Sequence, residues 1–375
     1  VIHEFASSSE AMWLNRHKIN NSGEYPVIKA LGYAASTATS ALAPIEFERR
    51  EPGSRDLVLE LLYCGICHSD IHYARNEWGY SRFPIVPGHE MVGRITSIGS
   101  DVSNFKVGDL AGIGCLIDSC RHCAPCQDNE EQYCHKGVTM TYGSKERKDT
   151  NVISQGGYST NYVVDTDFAL RIPSSLDLKG VAPLLCAGIT TWSPLRRWNI
   201  GPGDKVGVVG LGGLGHMAIK FAHAFGADVT LFTTSASKAA DAMSLGADSV
   251  IISKDADAMK AAREFDFILD TVSALHDINP YLSALKRNGT LCLVGLPDQQ
   301  LEFKPSLVLS NKIISGSLIG GIKETQEMLN YCGENNIIAD IELININEVN
   351  EAFERVVSGD VKYRFVIDLE TLKNN

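Results

Sequence analysis

The second half of the chain alternates short apolar runs with amphipathic stretches, and this alternation limits the folds open to it. Six apolar runs of four to seven residues predict strands: 205–210, 228–233, 249–252, 265–271, 290–294 and 313–318. Two of the intervening stretches, 214–225 and 237–245, have helical periodicity and stop at glycine. Strands that alternate with helices specify a doubly wound parallel sheet.

A glycine-rich turn follows the first of these strands. Gly210, Gly212 and Gly215 form the pattern G-x-G-x-x-G, and Gly213 and Leu214 complete the turn before the helix. Glycine lets the backbone approach a pyrophosphate closely, and the helix N-terminus favours its charge. A glycine-rich turn without a ligand is the alternative, but the preceding strand and following helix favour dinucleotide binding.

The end of the second strand distinguishes NAD from NADP. An NAD site usually has Asp or Glu there, about 20 residues beyond the glycines, to bond the ribose 2′-hydroxyl. This chain has Thr233, Thr234, Ser235 and Lys238 instead. Hydroxyls and an ammonium suit a 2′-phosphate, so we predict NADP(H). A solvated lysine at a helix start is the competing interpretation of Lys238.

Four cysteines lie close together in the first half of the chain. Cys120, Cys123, Cys126 and Cys134 have the spacing C-x2-C-x2-C-x7-C. One short loop can then present four thiolates to a tetrahedral zinc ion, and four protein ligands close that site to substrate. The spacing predicts a structural zinc site.

Length and charge set further limits. A chain of 375 residues exceeds one ordinary core, so two domains are expected. Residues from about 28 to 170 are rich in Gly, Pro and short apolar runs such as 57–63 and 91–98, which predicts an irregular β-barrel. A net charge of −11 argues against nucleic acid or an anionic membrane as partner, and no apolar run reaches membrane-spanning length.

The cysteine usage and the N-terminus bear on the compartment. Ten cysteines in a chain this long fit reduced thiols and metal ligation better than a disulfide scaffold. Residues 1–27 lack the basic region and apolar core of a secretory signal, and are interpreted as an extension with no assigned role. We therefore predict a cytoplasmic protein.

Three further segments carry potential metal ligands: 64–72, 87–90 and 184–190. A single cysteine is more often a small buried hydrophobe, and a single histidine more often structural. Their spacing in sequence cannot show that they meet.

Taken together, these segments resemble zinc-dependent medium-chain alcohol dehydrogenases. The phrases Cys64-Gly-Ile-Cys-His-Ser-Asp, Val86-Pro-Gly-His-Glu, Pro183-Leu-Leu-Cys-Ala-Gly-Ile-Thr-Thr and Gly316-Ser-Leu-Ile-Gly-Gly are similar to the cinnamyl alcohol dehydrogenase branch, which includes NADPH-dependent aldehyde reductases. The resemblance runs from about residue 28 to the C-terminus. It implies a GroES-like β-barrel catalytic domain over 28–180 and 317–375, and a Rossmann domain over 181–316. It also implies a homodimer joined near 313–318.

The resemblance assigns roles at a second, catalytic zinc site. Cys67, His89 and Cys186 would hold the ion and leave a fourth position open. Glu90 would bind zinc transiently, and Asp70 would accept the His89 N–H. The other four cysteines are expected to be core residues: Cys64, Cys115, Cys292 and Cys332.

Further roles follow from the same resemblance. Ser69 and His72 would carry a proton between substrate and solvent. The cofactor would contact His68 and Arg364 at its pyrophosphate, Thr190 at its nicotinamide, and also Val294 and Ser317. The substrate pocket would be lined by Trp78, Leu116 and Ile319, with Trp192 as a further candidate.

The implied function is transfer of a hydride between NADP(H) and primary alcohols or aldehydes, with two zinc ions per chain. Aromatic, cinnamyl-type and medium-chain aldehydes are the expected substrates. The alternative is a dinucleotide-binding structural or sensing protein without zinc chemistry. Such a protein would need neither the three catalytic ligands nor the proton path.

Overall fold

The structure, a computed structural model, describes residues 28–297 and 299–373. The predicted extension over 1–27 lies outside the described residues. The strands are β1 Ile28–Ala34, β2 Ala43–Arg49, β3 Asp56–Gly65, β4 Met91–Ile98, β5 Leu110–Ile113, β6 Leu116–Asp118, β7 Thr139–Met140, β8 Asn161–Asp165, β9 Leu170–Arg171, β10 Lys205–Val209, β11 Asp228–Thr233, β12 Ser249–Ile252, β13 Phe265–Asp270, β14 Leu285–Leu293, β15 Ile313–Gly316, β16 Ile341–Asn345 and β17 Arg364–Asp368.

The α-helices mostly lie in the second half of the chain. They are α1 His68–Ala74, α2 Ala124–Gln127, α3 Leu178–Val181, α4 Ala187–Arg197, α5 Gly215–Ala224, α6 Ala239–Leu245, α7 Ala256–Ala261, α8 Asn279–Ala284, α9 Ile322–Asn335 and α10 Val349–Ser358. Within the described ranges, no helix is both long and apolar enough to cross a bilayer.

The first half forms a curved, mainly antiparallel sheet. Seven strands take part, in the order β16-β17-β3-β4-β5-β9 with β8 paired to β3. Only β16 and β17 run parallel. The last two strands of the chain thus complete a sheet begun by the first half.

The second half forms the predicted parallel sheet. Its order is β12-β11-β10-β13-β14-β15, which is the Rossmann order 3-2-1-4-5-6. The bounds of β11 and β12 match the predicted strands, but β14 starts five residues earlier than its apolar run. The added part contains Lys286 to Gly289, and a polar segment gives no apolar signal.

The ends of these elements place the candidate site. Cys67 precedes α1, His89 and Glu90 precede β4, and Cys186 precedes α4. Pairing of β3 with β4 and β17 brings the first two of these segments beside Arg364. The glycine-rich turn ends at α5, on the carboxyl edge of the parallel sheet.

Candidate active site

The structure brings together four side chains from three distant segments of the sequence. Ligand atoms of Cys67, His89, Glu90 and Cys186 all lie within 4.8 Å of one another. The Sγ atoms of Cys67 and Cys186 are 3.9 Å apart. Two thiolates on one tetrahedral zinc ion would be separated by roughly 3.8 Å, given Zn–S bonds of about 2.3 Å. The donor set and its spacing therefore fit zinc.

Asp70 fixes the two ligands nearest to it. Its Oδ2 accepts the backbone N–H of Cys67 at 2.8 Å, which closes the first turn of α1 as a capping box. Its Oδ1 lies 3.2 Å from Nδ1 of His89 and accepts the backbone N–H of Gly88 at 2.9 Å. Burial lowers the pKa of His89, but Asp70, Cys115 and Cys67 together outweigh burial, and the pKa is raised well above its usual range. Asp70 thus holds the imidazole with Nε2 free for a metal.

Glu90 carries an oxygen that no protein group satisfies. Its Oε1 accepts from Nη2 of Arg364 at 2.5 Å, and the same Nη2 also donates to the Ile66 carbonyl at 2.7 Å. Oε2 is buried and has no hydrogen-bond partner among residues 28–297 and 299–373. Burial raises the pKa of Glu90 to about 7, although Arg364 opposes this. A buried, unsatisfied carboxylate oxygen beside three metal-ligand side chains fits a cation.

The proposed proton path lies on α1. Ser69 is half-buried, and His72 follows it by three residues, so both lie on one face of the helix. Nδ1 of His72 pairs with Oε2 of Glu77, whose side chain is 37% exposed. Sequence reasoning missed Glu77 because the chain turns back after α1. Asn76 has φ of 54°, and Glu77 N–H donates to the carbonyl of His72 at 2.9 Å, the 6→1 bond of a Schellman motif that ends α1.

An aromatic cluster adjoins this path. The Trp78 ring stacks on His72 with ring centroids 4.8 Å apart and meets Tyr73 edge-on at 5.2 Å. The exposed His68 ring also lies 4.8 Å from His72. Trp78 thus lies beside His72, and its place in the substrate-pocket wall stays a prediction.

The other candidates for the substrate pocket lie in different parts of the structure. Leu116 is fully buried in the barrel core, and half-buried Ile319 packs against that core. Trp192 is 4% exposed, and its ring packs on Phe221 and Tyr331. The expectation that Trp192 shapes the pocket is wrong, because its helix α4 turns this face into the Rossmann-domain core.

The additional cysteines are buried, as expected, but one lies close to the site. Cys64, Cys292 and Cys332 are fully buried. Cys115 Sγ lies 3.9 Å from the Leu185 carbonyl, next to Cys186, and the Cys186 thiol lowers its pKa. Cys115 therefore borders the catalytic cluster.

The four-cysteine loop forms a second cluster. Sγ–Sγ distances of 3.5 Å for Cys123–Cys126, 3.9 Å for Cys120–Cys126 and 4.0 Å for Cys123–Cys134 match a tetrahedral thiolate site. Backbone N–H groups of Cys120 and Cys123 point at neighbouring sulfurs at 3.4 Å. These donors suit thiolates, so this set also fits zinc.

The glycine-rich turn has the geometry of a phosphate cradle. Gly210 has φ of 90°, and a Cβ on Gly215 would lie 2.0 Å from the Gly210 carbonyl, so neither position admits a side chain. Gly212 is exposed, with no atom within 4 Å of a Cβ built there. Leu214 caps α5, and Gly213 lies directly against the side chain of Arg364. Arg364 thus touches both the turn and Glu90.

The remaining cofactor candidates surround the carboxyl edge of the sheet. Lys238 Nζ donates to the Leu211 carbonyl of the turn at 2.9 Å, which places its ammonium between the turn and the end of β11. The Ser317 N–H donates to the Leu293 carbonyl, and the Val294 N–H donates to the Asp270 carbonyl. Ser317 and Val294 therefore lie where β13 to β15 end. Three others complete the set: Thr190 and Thr233, both buried, and Thr234, exposed beside Ser235.

Comparison with known proteins identifies the family. Residues 53–174 match the model described as alcohol dehydrogenase GroES-like domain, and residues 213–333 match that described as zinc-binding dehydrogenase. The chain is 52% identical to aldehyde reductase YahK of Escherichia coli (strain K12), across 92% of this chain and 99% of that protein. The chain belongs to the zinc-binding alcohol dehydrogenase family.

Solved structures agree with the predicted branch of this family. A cinnamyl alcohol dehydrogenase from Sorghum bicolor is 44% identical, with a TM-score of 0.89, over 92% of this chain and 98% of that one. The cinnamyl alcohol dehydrogenase from Helicobacter pylori, solved with NADP(H), is 40% identical with a TM-score of 0.87, over 92% and 99%. The predicted combination of GroES-like and Rossmann domains is confirmed.

Proposed function

We propose that this family member is a two-zinc, NADP-linked dehydrogenase that mainly reduces aldehydes. The observation that carries the proposal is the convergence of Cys67, His89 and Cys186 beside the unsatisfied oxygen of Glu90. Arg364 connects this cluster to the glycine-rich turn. A protein that only bound a dinucleotide would need no such metal cluster.

The chemistry divides between the bound groups and the chain. When bound at these residues, zinc polarises an aldehyde carbonyl as a Lewis acid and NADPH supplies the hydride. Asp70 keeps His89 in the tautomer that can bind the metal. Ser69 delivers a proton to the substrate oxygen, and His72 with Glu77 replaces that proton from solvent.

The cofactor residues have distinct proposed contacts. Arg364 and His68 lie on the catalytic-domain side and would bind the pyrophosphate over Gly212. Thr190, Val294 and Ser317 would border the nicotinamide. Lys238 would bind a 2′-phosphate, which is consistent with NADP(H) in the Helicobacter pylori relative.

Replacing Lys238 tests the choice of cofactor. Lys238→Met should raise KM for NADPH about tenfold or more, because a hydrogen bond to a charged group contributes about 1.5–3 kcal/mol. KM for NADH should change little. Initial rates with both cofactors measure this, and Lys260→Met, on the exposed end of α7, is the control. Equal effects on both cofactors, or a wild-type preference for NADH, would contradict the assignment.

Removing His72 tests the proton path. His72→Ala should lower kcat about tenfold or more, because a positioned acid or base contributes about 10²–10⁴-fold. The pH profile of kcat should change as well, and added imidazole should restore part of the rate. His223→Ala, at an exposed histidine of α5, is the control. A variant with unchanged rate and pH profile would remove His72 from the path.

The aromatic cluster suggests the substrate class. Trp78, Tyr73 and Tyr80 present flat apolar surface beside His72, which suits conjugated and aromatic aldehydes. Initial rates for cinnamaldehyde, benzaldehyde and straight-chain aldehydes with NADPH, together with zinc analysis, test the function. Zinc-free protein that still reduced these aldehydes would contradict it.

The assembly and compartment are also part of the proposal. The last strand of the parallel sheet, β15, leaves Ile313 45% exposed, with Leu309 and Leu318 at 81% and 55%. An apolar edge strand favours pairing with a second copy, so we propose a homodimer. Free thiols at both metal clusters suit a reducing compartment such as the cytoplasm.

A further inference from the structure

The carboxylate that orients His89 has a partner beyond those expected from the sequence. Oη of Tyr158 donates to Oδ2 of Asp70 at 3.0 Å. Asp70 and Tyr158 are both fully buried. Oδ2 of Asp70 therefore lies beside two donors, the Tyr158 hydroxyl and the backbone N–H of Cys67. Oδ1 also lies beside two, the backbone N–H of Gly88 and Nδ1 of His89.

A second buried tyrosine reaches His89 itself. Oη of Tyr142 lies 3.2 Å from Nδ1 of His89, and Tyr142 is 3% exposed. Its ring centroid lies 5.7 Å from that of His89 and 4.9 Å from that of Tyr73. Tyr142 therefore fills the space between the metal-ligand imidazole and the aromatic cluster, on the nitrogen that faces away from the metal.

The backbone carrying Tyr158 is joined to the segment before His89. Three successive backbone N–H groups donate to carbonyl oxygens of that segment: Gly156 to Val86 at 2.7 Å, Gly157 to Gly88 at 2.8 Å and Tyr158 to Pro87 at 2.9 Å. A Cβ on Gly88 would lie 2.7 Å from the Tyr158 ring, so the ring lies directly against this residue. The tyrosine hydroxyl and the ligand are thus held in one rigid unit.

We propose that Tyr142 and Tyr158 are positioning residues for the catalytic zinc ligand His89. Tyr158 acts through Asp70, and Tyr142 acts on Nδ1 directly. Without the Tyr158 hydroxyl, a buried oxygen of Asp70 loses a donor, and the carboxylate no longer has a single favoured orientation toward His89. The inference rests on the proposed function, because it assumes that zinc occupies the site.

Zinc release is the readout, because it does not depend on turnover. Tyr158→Phe and Tyr142→Phe should each release one of the two zinc ions to a chelator about tenfold faster or more, in line with the 10–100-fold cost in metal affinity of losing an outer-shell partner. The second ion, held by the four-cysteine cluster, should leave at the wild-type rate. That slower phase is an internal reference for the fold.

Tyr162→Phe is a matched control. Tyr162 is 2% exposed in the same barrel, and its Oη donates to the Thr141 carbonyl at 2.7 Å, not to Asp70. This variant loses a buried tyrosine hydrogen bond without touching His89, so its melting temperature should fall while both release rates stay unchanged. Should Tyr158→Phe fail to fold, Tyr142→Phe still tests the inference.

The zinc-release results distinguish failure of the positioning role from failure of the proposed function. Two zinc ions in the wild type with unaccelerated release from both variants would overturn the inference alone. Equal acceleration in Tyr162→Phe would also overturn it, because general loosening would then be the cause. A wild type that binds zinc only at the four-cysteine cluster would overturn the proposed function and this inference with it.

Discussion

Cys186→Ala should lower kcat for aldehyde reduction by a factor of about a thousand or more, while the protein stays folded. Cys67 and His89 alone cannot complete a three-ligand site, so the open position that receives the carbonyl oxygen is lost. A Lewis acid at this position stabilises developing charge by several kcal/mol, and each 1.36 kcal/mol changes the rate about tenfold. Steady-state rates with NADPH measure the effect.

Metal content and a second cysteine variant make this result specific. Zinc should fall from two ions per chain to one, because the four-cysteine cluster is untouched. Cys332→Ala is the control, since Cys332 is a fully buried thiol of α9 that belongs to neither cysteine cluster. A Cys186→Ala protein that kept two zinc ions and turned over within tenfold of wild type would contradict the assignment of the catalytic ligand.

Local patterns predicted the parallel sheet because its central strands β10, β11 and β13 are buried on both faces. Such strands are continuous apolar runs, and glycine marks where the helices stop; Gly246, for example, ends α6 with φ of 108°. The pattern failed at the start of β14, where Leu285 pairs with Phe265 and the polar residues 286–289 intervene before pairing with β13 resumes at Thr290. The resemblance, in turn, failed at Trp192, because an aromatic residue near a ligand cysteine can belong to either a pocket or a core.

The catalytic cluster could be assigned only through resemblance, because its residues meet through tertiary structure. The Cys67 and Cys186 thiols come within 3.9 Å after a separation of 119 residues in the chain. No spacing rule encodes that contact, whereas the four-cysteine loop places all its ligands within 15 residues, from 120 to 134. Tyr142 and Tyr158 were missed for the same reason, whereas Glu77 lies near His72 in the sequence and was missed because the chain turns back after α1.

The four-cysteine cluster should matter for stability more than for chemistry. Its residues form a small core of their own that consists of thiols, with no aliphatic side chain buried among them. The lobe that carries these cysteines, residues 120–134, also contacts the segment before and at the start of α9. The Ile322 N–H donates to Oε2 of Glu131 at 3.0 Å, and the Leu318 N–H donates to Oη of Tyr133 at 3.3 Å. Zinc bound there would thus be the main element holding this lobe, and the lobe helps hold the start of α9.

Cys123→Ser should therefore lower the melting temperature by about 5 °C or more, because structural zinc sites contribute directly to folding free energy. One zinc ion should be lost, and hydride transfer measured in a single turnover should stay close to wild type in the molecules that remain folded. Cys292→Ser, at a buried thiol of β14, controls for loss of a core sulfur. If Cys123→Ser kept both zinc ions and full heat stability, the structural role would be wrong, because the fold would then not depend on that thiolate.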